Sequence, residues 1–315
     1  MNASQEKQNG KMNVGGQAVI EGVMMRSPSA VSVAVRHPEG HIVVKRQPYV
    51  SWTQRVKLFN LPIFRGAVVL IETIVLGIQA LTFSGDVAME AEEGRKEKKR
   101  GGFWGSLRIG LTVTVALALG LALFFYLPLI LTDLLGVRSG FWFNMVDGGF
   151  RLGIFLLYLF GITMLKDIRR IFQYHGAEHK SIFAFENGLD LTVSNAQRFG
   201  THHPRCGTSF LLFVMIVSIL VFVFLGRPET LGDRLVRLLF VPLIGGISYE
   251  LIRLSGKYGG SLWLSWAVAP GLWLQRITTK EPSDDQVEVA LAALRAVLDP
   301  VGLKATEIFE EKHAG

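Results

Sequence analysis

One cysteine among 315 residues excludes an intrachain disulfide, and a lone thiol suits a reducing compartment. Charge is also sparse. Asp, Glu, Lys and Arg make up 19% of the chain against 50% hydrophobic residues, and the mean hydropathy is +0.35. That balance is too apolar for an ordinary soluble enzyme of this length. Lys and Arg exceed Asp and Glu by 33 to 26; so modest an excess, gathered beside apolar runs, fits anionic headgroups rather than nucleic acid. Residues 1–14 are polar and lack an apolar core, which predicts no cleavable signal peptide. There is no P-loop, no dinucleotide fingerprint and no G-x-S-x-G elbow, and Gly15-Gly16 alone is too short a glycine signal for phosphate.

What is present is a set of long apolar runs. Residues 107–135 can cross about 30 Å of hydrocarbon with some tilt, and 141–165, 208–225 and 235–254 are the other candidates. The expected fold is mainly α: a polytopic bundle of about four spans in the lipid bilayer. The run Arg95-Lys96-Glu97-Lys98-Lys99-Arg100 precedes the first span, and Lys166, Arg169 and Arg170 follow the second. The bias of Lys and Arg toward the inside makes both flanks, and both termini, cytoplasmic. Residues 166–207 then form a cytoplasmic loop.

Outside the bundle (103–280), residues 1–13 read as a disordered leader and 14–60 as a small cytoplasmic β module. Val31-Ser32-Val33-Ala34-Val35 alternates, Pro38-Glu39-Gly40 turns and His41-Ile42-Val43-Val44-Lys45 returns, a hairpin pattern. Residues 61–85 are apolar with helical period but carry Arg65 and Glu72. Spanning would put the basic flanks of this segment on opposite sides, so a re-entrant or interfacial helix, or one packed on the bundle, is expected. Residues 86–102 read as a charged linker. Trp263, Trp266 and Trp273 form a stripe suited to the membrane interface. In 281–315, Ser283-Asp284-Asp285-Gln286 is a capping box opening an amphipathic helix, with Val287, Ala290, Leu291, Leu294 and Leu298 on one face, expected to dock on the β module.

Four of the seven histidines and the cysteine fall between positions 175 and 206. Tyr174-His175-Gly176-Ala177-Glu178-His179-Lys180 contains H-x-x-E-H, which on a helix sets His175 and His179 one turn apart on one face. Two imidazoles can then share a divalent ion while Glu178 serves as general base toward water. His202 or His203 and Cys206 are further candidate ligands, and imidazole with thiolate points to zinc or iron. Two functions follow: a zinc-type hydrolase, or a membrane scaffold whose metal clamps the loop. Four protein ligands would close the shell and favour the clamp, so catalysis requires one candidate to stay out. Metal transport lacks a row of intramembrane ligands. Glu250, in a span bent by Pro242 and Gly245-Gly246, is a functional candidate or a snorkelling residue beside Arg253. Asp147 and Arg151, one turn apart, are expected to satisfy each other.

The stretch Gly15-Gly16-Gln17-Ala18-Val19-Ile20-Glu21-Gly22-Val23-Met24-Met25-Arg26, the H-x-x-E-H segment and His203-Pro204-Arg205-Cys206-Gly207-Thr208-Ser209 together resemble the YqhQ-like family of bacterial membrane proteins. The resemblance runs from about residue 13 to the C-terminal helix. It implies a bacterial inner-membrane protein of a family of unknown function, described as predicted metal-dependent enzymes. It also draws Gln17, Glu21 and Arg26 in as site candidates, against the plainer reading of a glycine-rich strand edge with an internal Glu–Arg pair.

Overall fold

The computed structural model describes residues 12–89, 103–257, 262–299 and 305–311. The alternating stretches near the N-terminus form four strands, β1 (Gly15–Val19), β2 (Gly22–Arg26), β3 (Ala30–Arg36) and β4 (Ile42–Pro48), and each pairs antiparallel with the next. The expected hairpin is β3–β4. A fifth strand, β5 (Glu307–Glu311), adds antiparallel to β4, so the segment expected as a C-terminal tail completes the sheet. Nothing in Glu-Ile-Phe-Glu-Glu specifies a partner nearly 270 positions away.

Alternation in β3 serves two packed faces rather than one. Val31, Val33 and Val35 join an apolar cluster with Leu76, Ala80 and Val87 of α1 (Phe64–Met89). Ala30 and Ala34 face the other way, into a cluster with Val287, Leu291 and Leu294 of the C-terminal helix Asp284–Leu298. The small residues there let that helix come close, and Ser32 Oγ donates to the Ala293 carbonyl at 2.6 Å. The Ser283/Gln286 capping box opens this helix as its sequence predicts.

After α1 the chain continues through α2 (Phe103–Leu121), a π turn (Ala122–Tyr126), α3 (Leu127–Leu134), α4 (Gly140–Thr163), α5 (Lys166–Glu186), the short α6 (Val193–Gln197), α7 (Gly207–Leu225), α8 (Leu231–Leu239), α9 (Val241–Lys257) and α10 (Leu262–Thr278); Asp284–Leu298 is α11. Among the described residues, five segments are long and apolar enough to cross a membrane: Phe64–Met89, Gly110–Leu134, Gly140–Thr163, Gly207–Leu225 and Leu231–Leu254. The chain is a membrane protein. Four of the five cover the expected spans. The fifth is α1, one uninterrupted helix packed on the bundle: Gly66 lies against Gly246 of α9, while its second half runs beneath the sheet. The expected leader falls on residues 1–11 and most of the expected linker on 90–102, both outside the described residues, as are the side chains of Trp263 and Trp266.

Half of the stretch expected as a loop, 166–207, is α5. Tyr174, Ala177, Ser181, Ile182 and Phe185 are buried along one stripe of this helix. It ends where Gly188 (φ 66°) turns the chain back and Leu189 N–H donates to the Ala184 carbonyl. At the opposite end of the bundle Asp147 and Arg151 pair at 2.9 Å as expected. Arg237, 1% exposed, joins them unforeseen, donating to Asn144 Oδ1 at 2.7 Å with its guanidinium 4.9 Å from the Phe222 ring.

Gly176 sits where α5 presses on the segment after α10; a Cβ there would stand 2.1 Å from the Lys280 carbonyl oxygen. Alanine would gain about 1 kcal/mol in helix propensity, but the backbone it meets cannot swing aside. Gly176→Ala is expected to cost a net ~1–3 kcal/mol. Gly85→Ala, at a helical glycine with open space around it, should be neutral or slightly stabilising. Thermal unfolding in detergent compares the two.

Candidate metal centre

H-x-x-E-H lies in the middle of α5, and the helix brings its two imidazoles to ring centroids 4.5 Å apart. Each is held from behind by a main-chain carbonyl. His175 Nδ1 is 2.8 Å from the Thr278 oxygen at the end of α10, and His179 Nδ1 bonds the Thr201 oxygen. Both Nδ1 atoms therefore carry the proton, which leaves both Nε2 lone pairs free. Cys206 stands opposite as the N-cap of α7, its Sγ 3.2 Å from His175 Nε2 and accepting from Thr208 N–H at 3.4 Å.

The loop that delivers Cys206 is tied to α10. Gln275 accepts from His203 N–H at 2.7 Å and donates to the His203 carbonyl at 2.9 Å, and Thr279 reaches Thr201. One ligating atom from each of His175, His179 and Cys206 then lies within 4.8 Å of the other two. Two imidazoles and a thiolate, each imidazole oriented by a carbonyl, form a donor set suited to zinc, and three protein ligands leave a fourth position open.

The remaining candidates separate. His202 is exposed. His203 is buried 5.6 Å from the His179 ring, but its Nδ1 accepts from Arg205 N–H and its Nε2 faces Glu186 at 3.4 Å. It supports the loop and the ion-pair network of Glu186 with Arg205. Glu178 is buried with its side chain against Gly16 of β1, where a Cβ would approach it to 2.9 Å, and the Gly16 N–H favours the charged form of its carboxylate. This explains the glycine at 16, whereas Gly15 has open space around it. Gln17 packs on Gly77 of α1. Glu21 and Arg26 do not pair with each other. Glu21, at the β1–β2 turn, takes Arg170 and the Tyr174 hydroxyl, while Arg26 pairs with Glu72 at 3.5 Å and lies over the Tyr49 ring. Glu250 pairs with Arg65 of α1 at 2.7 Å, and Arg253 is only a distant second partner at 3.9 Å.

Burial sets the protonation states. It pushes His179 below the ordinary imidazole value, an effect opposed by the hydrogen bond to Cys206, and likewise lowers His203. It pushes Glu178 up, against the pull of His175, His203 and Gly16 N–H. A neutral His179 is the form that ligates. A second cluster, His37, Glu39 and His41 at the β3–β4 turn, also brings its atoms within 4.8 Å. Its rings stack at 21°, however, so their in-plane lone pairs run nearly parallel and do not converge on one ion.

His175, Glu178, His179 and Cys206 line one cavity of about 1060 Å³. Nothing local in the sequence marks the carbonyls of Thr201 and Thr278 as orienting groups, because both act through the main chain.

Comparison with known proteins agrees with the resemblance carried by these motifs. The family described as "Protein of unknown function (DUF1385)" matches residues 61–300. The chain is 34% identical over 294 residues to the protein described as "Uncharacterized protein YqhQ" of Bacillus subtilis (strain 168), covering 90% of this chain and 92% of that one. No solved structure matches.

Proposed function

The chain belongs to the DUF1385 family, and from that footing we propose that it is a metal-dependent hydrolase of the bacterial inner membrane. The observation that carries the reading is the three-donor set of His175, His179 and Cys206, with Glu178 on the same cavity wall. Zinc held there would supply Lewis-acid chemistry, polarising a water and the carbonyl or phosphoryl group whose carbon or phosphorus that water attacks. Glu178 takes the proton from the attacking water and returns it to the leaving group. Its raised affinity for a proton suits that exchange. Gly16 N–H favours the charged carboxylate, while Thr201 and Thr278 hold the imidazoles in the ligating tautomer.

The basic residues Lys166, Arg169 and Arg170 lie at the end of the bundle that carries the site, which argues for a cytoplasmic centre and cytoplasmic termini. A structural clamp is the second reading. It is favoured by the way the donor atoms tie α5 to the start of α7 and, through Thr278, to the end of α10. Both readings require an ion. Detergent-purified protein, exchanged against excess zinc and desalted, is expected to retain one equivalent per chain by elemental analysis. No retained zinc, iron, manganese or cobalt would overturn both.

A further inference from the structure

The cavity is far larger than an ion and a water require: its volume of about 1060 Å³ lies at the upper end of the range for small-molecule sites, roughly 300–1000 Å³. Its wall away from the donor atoms comes from α1 and α9, through Val69, Thr73 and Leu76 on one and Tyr249, Ile252 and Leu254 on the other. Both helices belong to segments apolar enough to cross a membrane. Leu254 is 48% exposed and so lies both on the lining and on the outer apolar surface. The cavity therefore opens along exposed positions of two helices apolar enough to cross a membrane.

Four arginines reach the lining, and three are engaged. Arg26 pairs with Glu72, Arg65 with Glu250 and Arg205 with Glu186. Arg253 is different. Its side chain is 54% exposed, and its only ion-pair partner among the described residues is Glu250, 3.9 Å away and already bound by Arg65 at 2.7 Å. A guanidinium without its own carboxylate, beside an apolar channel, matches an anionic headgroup carried on a hydrocarbon chain.

We infer that the cavity binds one anionic phospholipid from the surrounding bilayer, its phosphate at Arg253 and its acyl chain between α1 and α9. This holds whether the metal centre is catalytic or structural, because neither Arg253 nor the apolar wall touches the donor atoms. The full chain in dodecyl maltoside should be titrated with dioleoylphosphatidylglycerol, dioleoylphosphatidylcholine and glycerol 3-phosphate and read by native mass spectrometry. One saturable phosphatidylglycerol per chain is expected, with weaker phosphatidylcholine binding and none of glycerol 3-phosphate. Arg253→Gln should weaken phosphatidylglycerol roughly fivefold, the effect of about one basic side chain near a headgroup. Thr73→Trp, which fills the channel from an exposed position, should abolish binding with the charge intact. Arg253→Gln and Thr73→Trp should each retain the one equivalent of zinc expected of wild type, which separates this inference from the hydrolase reading. Equal binding of both lipids, unchanged by either variant, would reduce the finding to an annular shell and overturn it. Binding of glycerol 3-phosphate as tight as that of the lipid would overturn the assignment to a membrane source.

Discussion

His175→Ala and His179→Ala are each expected to empty the candidate centre. A full structural zinc site contributes about 10–16 kcal/mol in apparent binding free energy, so one ligand in three or four carries on the order of 3–4 kcal/mol, or two to three decades in affinity. Elemental analysis after desalting should therefore fall from one equivalent to near zero for either variant. Cys206→Ser should be milder in folding, because a hydroxyl can still cap α7 in place of the sulfur that accepts from Thr208 N–H, yet equally poor in zinc. The same variants separate enzyme from clamp. An ion bound only by the folded chain stabilises it by about 2.7–4.1 kcal/mol at 100–1000 times its dissociation constant. A clamp would release that stability with the metal, so apo wild type should melt as low as apo His175→Ala. If both remain folded and membrane-inserted at growth temperature, the ion is not needed to hold α5, α7 and α10 together. Undiminished zinc in His175→Ala would remove this residue from the centre and leave only two donors.

Most of the expected segments were legible because hydropathy and period are local properties. Residues 107–135, 141–165, 208–225 and 235–254 overlap segments that meet the length and hydropathy needed to span, and H-x-x-E-H falls on a helix with its imidazoles adjacent. What stayed illegible depends on partners distant in the chain. A strand at 307–311 has no reason to form until β4 offers its edge. Residues 61–85 carry Arg65 and Glu72, and no local pattern names the partners of these charges. In the fold each charge has an answering group from elsewhere: Glu250 for Arg65, and Arg26 with Ser51 for Glu72. Adjacent His202 and His203 could not be told apart by type; what separates them is the Gln275 side chain gripping the loop. That grip turns His203 toward Glu186, and the atoms that come within 4.8 Å of one another are those of a three-donor, three-ligand set, His175, His179 and Cys206.

Glu178→Gln is expected to leave that three-ligand set loaded and abolish turnover. The amide is nearly isosteric, its side chain can still pack against Gly16, and neither imidazole loses its carbonyl partner. Removing a general base costs about 10²–10⁴ in rate, so complementation of a deletion strain should fail while zinc stays at one equivalent. The pH dependence of stability gives a second readout that needs no substrate. Burial raises the affinity of Glu178 for its proton in the fold. Its contribution to stability is therefore fully present below the ordinary carboxylate value and is lost as pH rises through the raised one. At neutral pH the metal-free wild type bears the cost of a buried carboxylate that glutamine avoids, and apo Glu178→Gln should melt at the higher temperature. The gap should close as the pH is lowered into the range where Glu178 is protonated in both states. It should also narrow when zinc is added, since a cation beside the carboxylate favours its charged form. A variant that complements fully, with zinc bound, would assign the proton transfer to another group and leave Glu178 as a packing partner of Gly16.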